Sequence, residues 1–287
     1  MDLHDFGLAS DLEMMQRQAL ERRRLLRWVL AGAATLPLIS CGGSSASDTA
    51  STGTTATGTT GTGTTATTPT TTACAVIPEE TGGPYPADGT NTNGGSIINV
   101  LNQTGVVRSD IRSSFNGATG VAAGVPLTIK LQLVNANASC ASLAGYAIYL
   151  WHCDRDGLYS LYSSGVTAQN YLRGVQETDS SGSLSFTTIF PGCYAGRMPH
   201  VHFEVYPSLA RAAAASNRIK TSQFTFPLAT LNEVYTASGY TSSVRNLAQI
   251  SYATDNVFSD GTSLQMAGVT GNATDGYVVT LTIGVNG

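Results

Sequence analysis

From Val125 onward no apolar run is longer than about ten residues, and each is closed off by turn-forming residues, a pattern that favours short strands over helices. Segments 125–134, 147–153, 183–189, 200–205, 223–226 and 276–285 alternate or run apolar at strand length. Between them lie turn signals such as Asp154-Arg155-Asp156-Gly157, Asp179-Ser180-Ser181-Gly182 and Pro191-Gly192. Their spacing is that of a sandwich or barrel rather than of β-α-β units, so an all-β fold is expected. Only 208–216, with its alanines, invites a helix. Charged residues make up just 12% of the chain, the net charge is -4, and the basic residues outside the leader are scattered singly. That leaves no electrostatic footprint for a phosphate backbone, and nucleic acid is not an expected partner.

The N-terminal part reads as an address. Arg22-Arg23-Arg24-Leu25-Leu26-Arg27 precedes a modestly apolar run, 28–39, that is too short to span a bilayer as an ordinary helix. Paired arginines before an apolar core diluted by Ala and Gly resemble a twin-arginine export signal. The signal ends in Leu38-Ile39-Ser40-Cys41, which resembles a bacterial lipobox with Cys41 as the lipidated residue. From Gly42 to about Thr72 the chain is almost wholly Ser, Thr, Gly and Ala, with too little apolar surface to offset the entropy of ordering it, so this stretch is expected to be a flexible tether. The expected organisation is an export signal over 1–41, a linker over 42–73 and one folded domain over 74–287. The domain would be exported and held to the cell envelope by its lipid, facing periplasm or exterior, with no other membrane contact.

Beyond Cys41 the chain has Cys74, Cys140, Cys153 and Cys193, an even number in what would be an oxidising compartment. Two disulfides are expected, with three connectivities open. No Cys-x-x-Cys pair suggests a zinc site.

Imidazole chemistry outside the leader must come from His152, His200 and His202. In Pro199-His200-Val201-His202-Phe203-Glu204-Val205 the period of a strand points His200 and His202 to one face, within reach of one ion. Tyr194 lies six residues before His200 in the turn-rich stretch Pro191-Gly192-Cys193-Tyr194-Ala195-Gly196-Arg197, and Tyr159 comes just after the turn that ends another apolar strand. Two phenols and two imidazoles form an unusual donor set. Trp151 and His152 point to opposite faces of their strand and are expected to be supporting residues rather than ligands.

From about Cys74 to the C-terminus the chain resembles the intradiol ring-cleavage dioxygenases, the family of catechol and protocatechuate dioxygenases. The resemblance rests on the ordered set Gly157-Leu158-Tyr159, Pro191-Gly192-Cys193-Tyr194, Gly196-Arg197 and His200-Val201-His202. It is supported by Pro78-Glu79-Glu80-Thr81-Gly82-Gly83-Pro84-Tyr85, Arg108-Ser109-Asp110-Ile111-Arg112, Leu150-Trp151-His152-Cys153-Asp154 and Leu172-Arg173-Gly174. It implies a β-sandwich with few short helices, carrying a non-haem Fe(III) on Tyr159, Tyr194, His200 and His202. Hard phenolate oxygens favour trivalent iron and neutral imidazole suits it, so donor chemistry and resemblance agree.

By the same resemblance the substrates are a small aromatic diol and dioxygen, and the product is a muconate-type diacid. Tyr194 would be the phenolate that a catechol displaces, Arg197 would offset charge developing on the ring, and Gln223 would hydrogen-bond near the iron. Gly83, Pro84 and Tyr85 would shape the substrate cavity. Cys193 stands where related sequences often carry an aromatic residue, and the long N-terminal helical region of the dimeric catechol-cleaving branch is not evident. The alternative is an envelope-displayed β-sandwich that binds without turnover. Which catechol is cleaved, and whether copies form a homo-oligomer, is left open by the sequence.

Overall fold

β-branched and aromatic residues at alternating positions build two sheets that pack face to face. In the computed structural model, which describes residues 75–287, the strands are β1 (Asp88–Asn93), β2 (Ser96–Asn99), β3 (Pro126–Asn135), β4 (Ala141–Ser142), β5 (Ala147–Trp151), β6 (Arg173–Glu177), β7 (Ser183–Ile189), β8 (His200–Tyr206), β9 (Lys220–Thr225), β10 (Gly268–Asn272) and β11 (Gly276–Val285). Two short helices, α1 (Leu228–Val234) and α2 (Thr241–Leu247), sit between β9 and β10. The export signal, Cys41, the linker and Cys74 lie outside the described residues.

One sheet runs β10-β11-β3-β4, with β7 pairing along β3, and the other runs β6-β5-β8-β9. Strands β11 and β3 are parallel over Leu127–Asn135 and every other strand pairing is antiparallel. The hairpin β1-β2 stands apart as a two-stranded sheet.

The core between the sheets takes Leu127, Ile129, Leu131 and Leu133 from β3 and Val279 and Ile283 from β11, facing Ile148 and Leu150 of β5 and Val201, Phe203 and Val205 of β8. Each such side chain contributes about 1.5–3 kcal/mol on burial. The opposite face of the second sheet is covered as well: Ala147, Tyr149, Trp151 and Val175 form a second cluster with Tyr159 and Tyr206, under the loops around Tyr85 and Tyr194. Strand β8 is therefore buried along its whole length, apolar on one side and polar on the other.

Segment 208–216 is not a helix. It forms two 3-10 turns, Arg211–Ala213 and Ala215–Asn217, separated by Ala214 in an extended conformation. Helix propensity among its alanines is too weak a signal to carry so short a segment without an apolar stripe to bury. The two helices that do form carry little signal of their own for a related reason, since each has only seven residues and no side-chain cap hydrogen bond. The expectation of two disulfides is also corrected. Cys140 is disulfide-bonded, but Cys153 and Cys193 are free and buried.

His152 ties the two sheets together. Its Nδ1 is 2.7 Å from the Cys153 carbonyl and its Nε2 is 2.7 Å from the Thr188 hydroxyl of β7. A neutral ring satisfies both bonds, donating to the carbonyl and accepting from the hydroxyl. Burial pushes its pKa down to about 4. The unfolded chain then binds a proton between about pH 6.5 and 4 that the folded protein does not, so stability is full above this window and is lost as pH falls through it. The melting temperature should therefore drop between pH 6.5 and 4, and His152→Asn should flatten that profile; an unchanged slope in the variant would assign the loss to other groups.

Candidate metal centre

Two loops deliver the phenols. In the first, Asp154 Oδ1 accepts from the amides of Asp156 and Leu158 at 3.0 and 2.9 Å, closing the turn that presents Tyr159. In the second, Gly192 donates its amide to the Asp154 carbonyl at 2.9 Å, clasping this loop to the first. The loops meet so closely that a β-carbon at Gly192 would lie 2.5 Å from the Arg155 carbonyl oxygen, and one at Gly157, where φ is +84°, would lie 3.0 Å from Cβ of Tyr194. Glycine is required at these positions because the two segments touch.

Strand β8 delivers the imidazoles. His200 and His202 occupy its polar face, as the period of two predicts, and their Nε2 atoms are 3.0 Å apart. The hydroxyls of Tyr159 and Tyr194 lie 3.4 and 3.3 Å from His200 Nε2. Atoms that each sit about 2.0–2.2 Å from a shared ion at angles of about 90–110° are separated by about 2.8–3.6 Å, so the spacing fits a common centre. Among the described residues no group of three or more His, Cys, Asp or Glu side chains is arranged to hold a metal, so a complete donor set here requires the phenols.

The orientation of each ring has a cause. His200 Nδ1 lies 2.6 Å from the Met198 carbonyl, which places the proton on Nδ1 and leaves the Nε2 lone pair facing the other donors. His202 stacks on Trp151, with ring centres 4.9 Å apart and planes 3° from parallel. Burial first, and the Arg197 cation second, hold both imidazoles well below the usual histidine range, so they are neutral. The Tyr159 phenol is pushed well above 10 by burial first and by Tyr194 second. A cation at the centre would reverse that direction and stabilise the anion. The four side chains thus fit a hard trivalent ion in their chemistry as well as their spacing.

Arg197 lies beside this quartet, 3% exposed, with Nε 3.0 Å from Asp255 Oδ2 and an outer nitrogen donating to Gln223 Oε1 at 2.7 Å. Burial alone would lower its pKa, but Tyr194 and Asp255 together raise it. Gln223, opposite His202 in the β8–β9 register, donates from Nε2 to the Thr81 carbonyl at 2.8 Å. Tyr85 lies between Tyr159 and Tyr162, with ring centres at 5.0 and 5.1 Å, and Gly83 reaches it through a turn at φ +67°. Pro84 presents its carbonyl to Asn91 of the β1-β2 hairpin. All predicted site residues within the described region come together here, and His152 stays outside the quartet, bonded to Cys153 and Thr188.

Three further residues emerge from the packing. Asp255 pairs with Arg197. Asn91 accepts from the Tyr162 hydroxyl at 2.7 Å while it holds Pro84. Arg173, fully buried, donates to the carbonyls of Tyr85, Pro86 and Ser160 at 2.9, 3.1 and 3.0 Å, tying the Tyr85 loop to the segment after Tyr159. Arg173 lies within a motif of the resemblance; Asp255 and Asn91 carry no local signal.

Residues 107–212, which include both phenols and both imidazoles, match the protein-family model described as Dioxygenase. An intradiol ring-cleavage dioxygenase from Tetranychus urticae superposes with a TM-score of 0.57 at 23% identity, over 74% of this chain and 95% of that one. A second solved dioxygenase does so with a TM-score of 0.56 at 23% identity and the same coverage. No curated protein matches. The chain accordingly has the all-β sandwich fold of the intradiol ring-cleavage dioxygenases, with the Dioxygenase match falling on the segment that builds the quartet.

Proposed function

We propose that this domain opens the ring of a catechol-type aromatic between its two hydroxyl-bearing carbons, using dioxygen and a non-haem Fe(III) held by Tyr159, Tyr194, His200 and His202. The observation that carries the reading is the convergence of two phenolic oxygens and two imidazole Nε2 atoms within about one coordination sphere. Both atoms of dioxygen enter the product, a muconate-type diacid, and no reductant is consumed. When bound, the ferric ion would supply the Lewis acidity that ionises phenols and catechol at neutral pH.

The protein's own groups divide the remaining work. Tyr159 is 2% exposed and packed under Tyr85, whereas Tyr194 is only half-buried, which favours Tyr194 as the phenolate that yields to substrate and takes up a proton. Arg197 supplies a permanent positive charge beside the reacting ring, in a water-poor setting where such a charge acts strongly. Gln223 spans Arg197 and Thr81, keeping that cation on the substrate side of β9. Gly83, Pro84 and Tyr85, backed by Arg173 and Asn91, would form one wall of the substrate cavity, with the Tyr85 ring as its aromatic surface for a flat diol.

We read the site as working outside the cytoplasm. The twin-arginine-like leader, the lipobox at Cys41 and the polar tether support a lipid-anchored envelope protein facing periplasm or exterior, and the disulfide at Cys140 suits an oxidising compartment.

Purified protein should be burgundy from tyrosinate-to-iron absorption, the band should shift on adding catechol, and oxygen should then be taken up. Tyr159→Phe and His202→Ala should each lose colour and turnover, and full activity in either would remove that residue from the donor set. Gly192→Ala should cost about 1–3 kcal/mol in urea unfolding and weaken iron retention, because the two ligand loops must part; unchanged colour and stability would show that their contact is dispensable. In a bacterial host Cys41→Ser should move the protein from membrane to soluble fractions, and continued membrane association would exclude the lipid anchor.

A further inference from the structure

We infer that Asp255 is a positioning residue that fixes Arg197 for its work at the ring, an inference that rests on the ring-cleaving reading above. Asp255 lies 58 residues beyond Arg197 in the chain, in the loop between α2 and β10, and is fully buried. Its Oδ2 takes the Arg197 Nε–H at 3.0 Å and the Met198 amide at 2.6 Å. Its Oδ1 takes the amides of Val257 and Phe258 at 2.8 and 3.2 Å, so the carboxylate is itself held on both sides.

The pair is oriented at its other end too. Arg197 donates onward to Gln223 at 2.7 Å, and its guanidinium carbon lies 6.0 Å from the centre of the Phe258 ring. A long side chain that would otherwise sample many rotamers is thereby fixed in one. The Met198 peptide bound by Asp255 is the same residue whose carbonyl receives His200 Nδ1 at 2.6 Å. One carboxylate therefore sets both the cation and the backbone that aims an imidazole. A buried ion pair contributes little net stability, because desolvating two charges offsets most of their attraction. Its consequence lies in where the guanidinium is placed.

The test is a double-mutant cycle on the full chain with Asp255→Asn, Arg197→Gln and the pair combined. In iron-loaded protein Asp255→Asn should keep the tyrosinate colour and titrate with catechol within about threefold of wild type, while kcat falls about 100-fold, as for loss of an electrostatic stabiliser. The double variant should be no slower than Arg197→Gln alone. In metal-free protein each single variant should melt below the double variant, because each leaves one buried charge unpaired. Wild-type kcat in Asp255→Asn, losses that multiply in the double variant, or additive melting shifts would overturn the inference, as would failure of Asp255→Asn to fold in both backgrounds. If the wild type shows neither iron colour nor oxygen uptake, the ring-cleaving reading fails instead, and the metal-free cycle still judges the ion pair.

Discussion

Strand β8 is buried on both faces in two different environments, and the rest of the molecule is arranged around that constraint. Val201, Phe203 and Val205 enter the core between the sheets, while His200, His202 and Glu204 enter a second interior beneath the loops. Buried polar groups are costly unless satisfied. The molecule meets that demand with Met198 for His200 and Tyr206 for Glu204, while the ring of His202 packs face to face on Trp151. The phenols that face the imidazoles complete an interior whose centre is crowded with oxygen and nitrogen lone pairs. Such a cluster suits a metal far better than it suits packing alone.

The loops above β8 need rigidity more than affinity for one another. Gly192 and Gly157 let the two phenol-bearing segments approach until backbone meets side chain and backbone, and the amide of Gly192 locks them together. Arg173 performs a similar service from below, with its donors spent on carbonyl and hydroxyl oxygens and no carboxylate partner among the described residues. These contacts hold the donor atoms at fixed separation before any ion arrives. That is the preorganisation a site requires if binding and charge stabilisation are not to be spent on rearrangement.

The two free thiols show how such packing overrides composition. An even number of cysteines in a chain with an export-like leader argues for paired bridges, yet Cys153 and Cys193 lie buried in two different apolar clusters, and burial raises both thiols above their usual range, Cys193 to about 12. A thiol kept protonated and out of solvent is a poor nucleophile for disulfide exchange. Cys193 donates weakly to the Arg197 carbonyl at 3.4 Å, so its small side chain serves the turn that carries Tyr194.

Much of this was legible in the chain. Period-two alternation set the face shared by His200 and His202, the turn residues marked where Tyr159 and Tyr194 would emerge, and strand-length runs announced an all-β fold of sandwich or barrel type; all of these depend on neighbours within a few residues. Strands β1, β2, β4, β6 and β10 were not legible, being short, edge-placed or weakly patterned, and the seven-residue helices lacked length to show a stripe. Asp255, Asn91 and the clasp at Gly192 were invisible for a different reason. Their partners lie tens of residues away, at Arg197, Tyr162 and Asp154, and a side chain's partner across such a distance is decided only when the sheets close and bring the loops together. Local covalent order determined which atoms could serve as donors; tertiary packing decided which of them meet, because contact between remote segments is a property of the closed fold and not of the spacing along the chain.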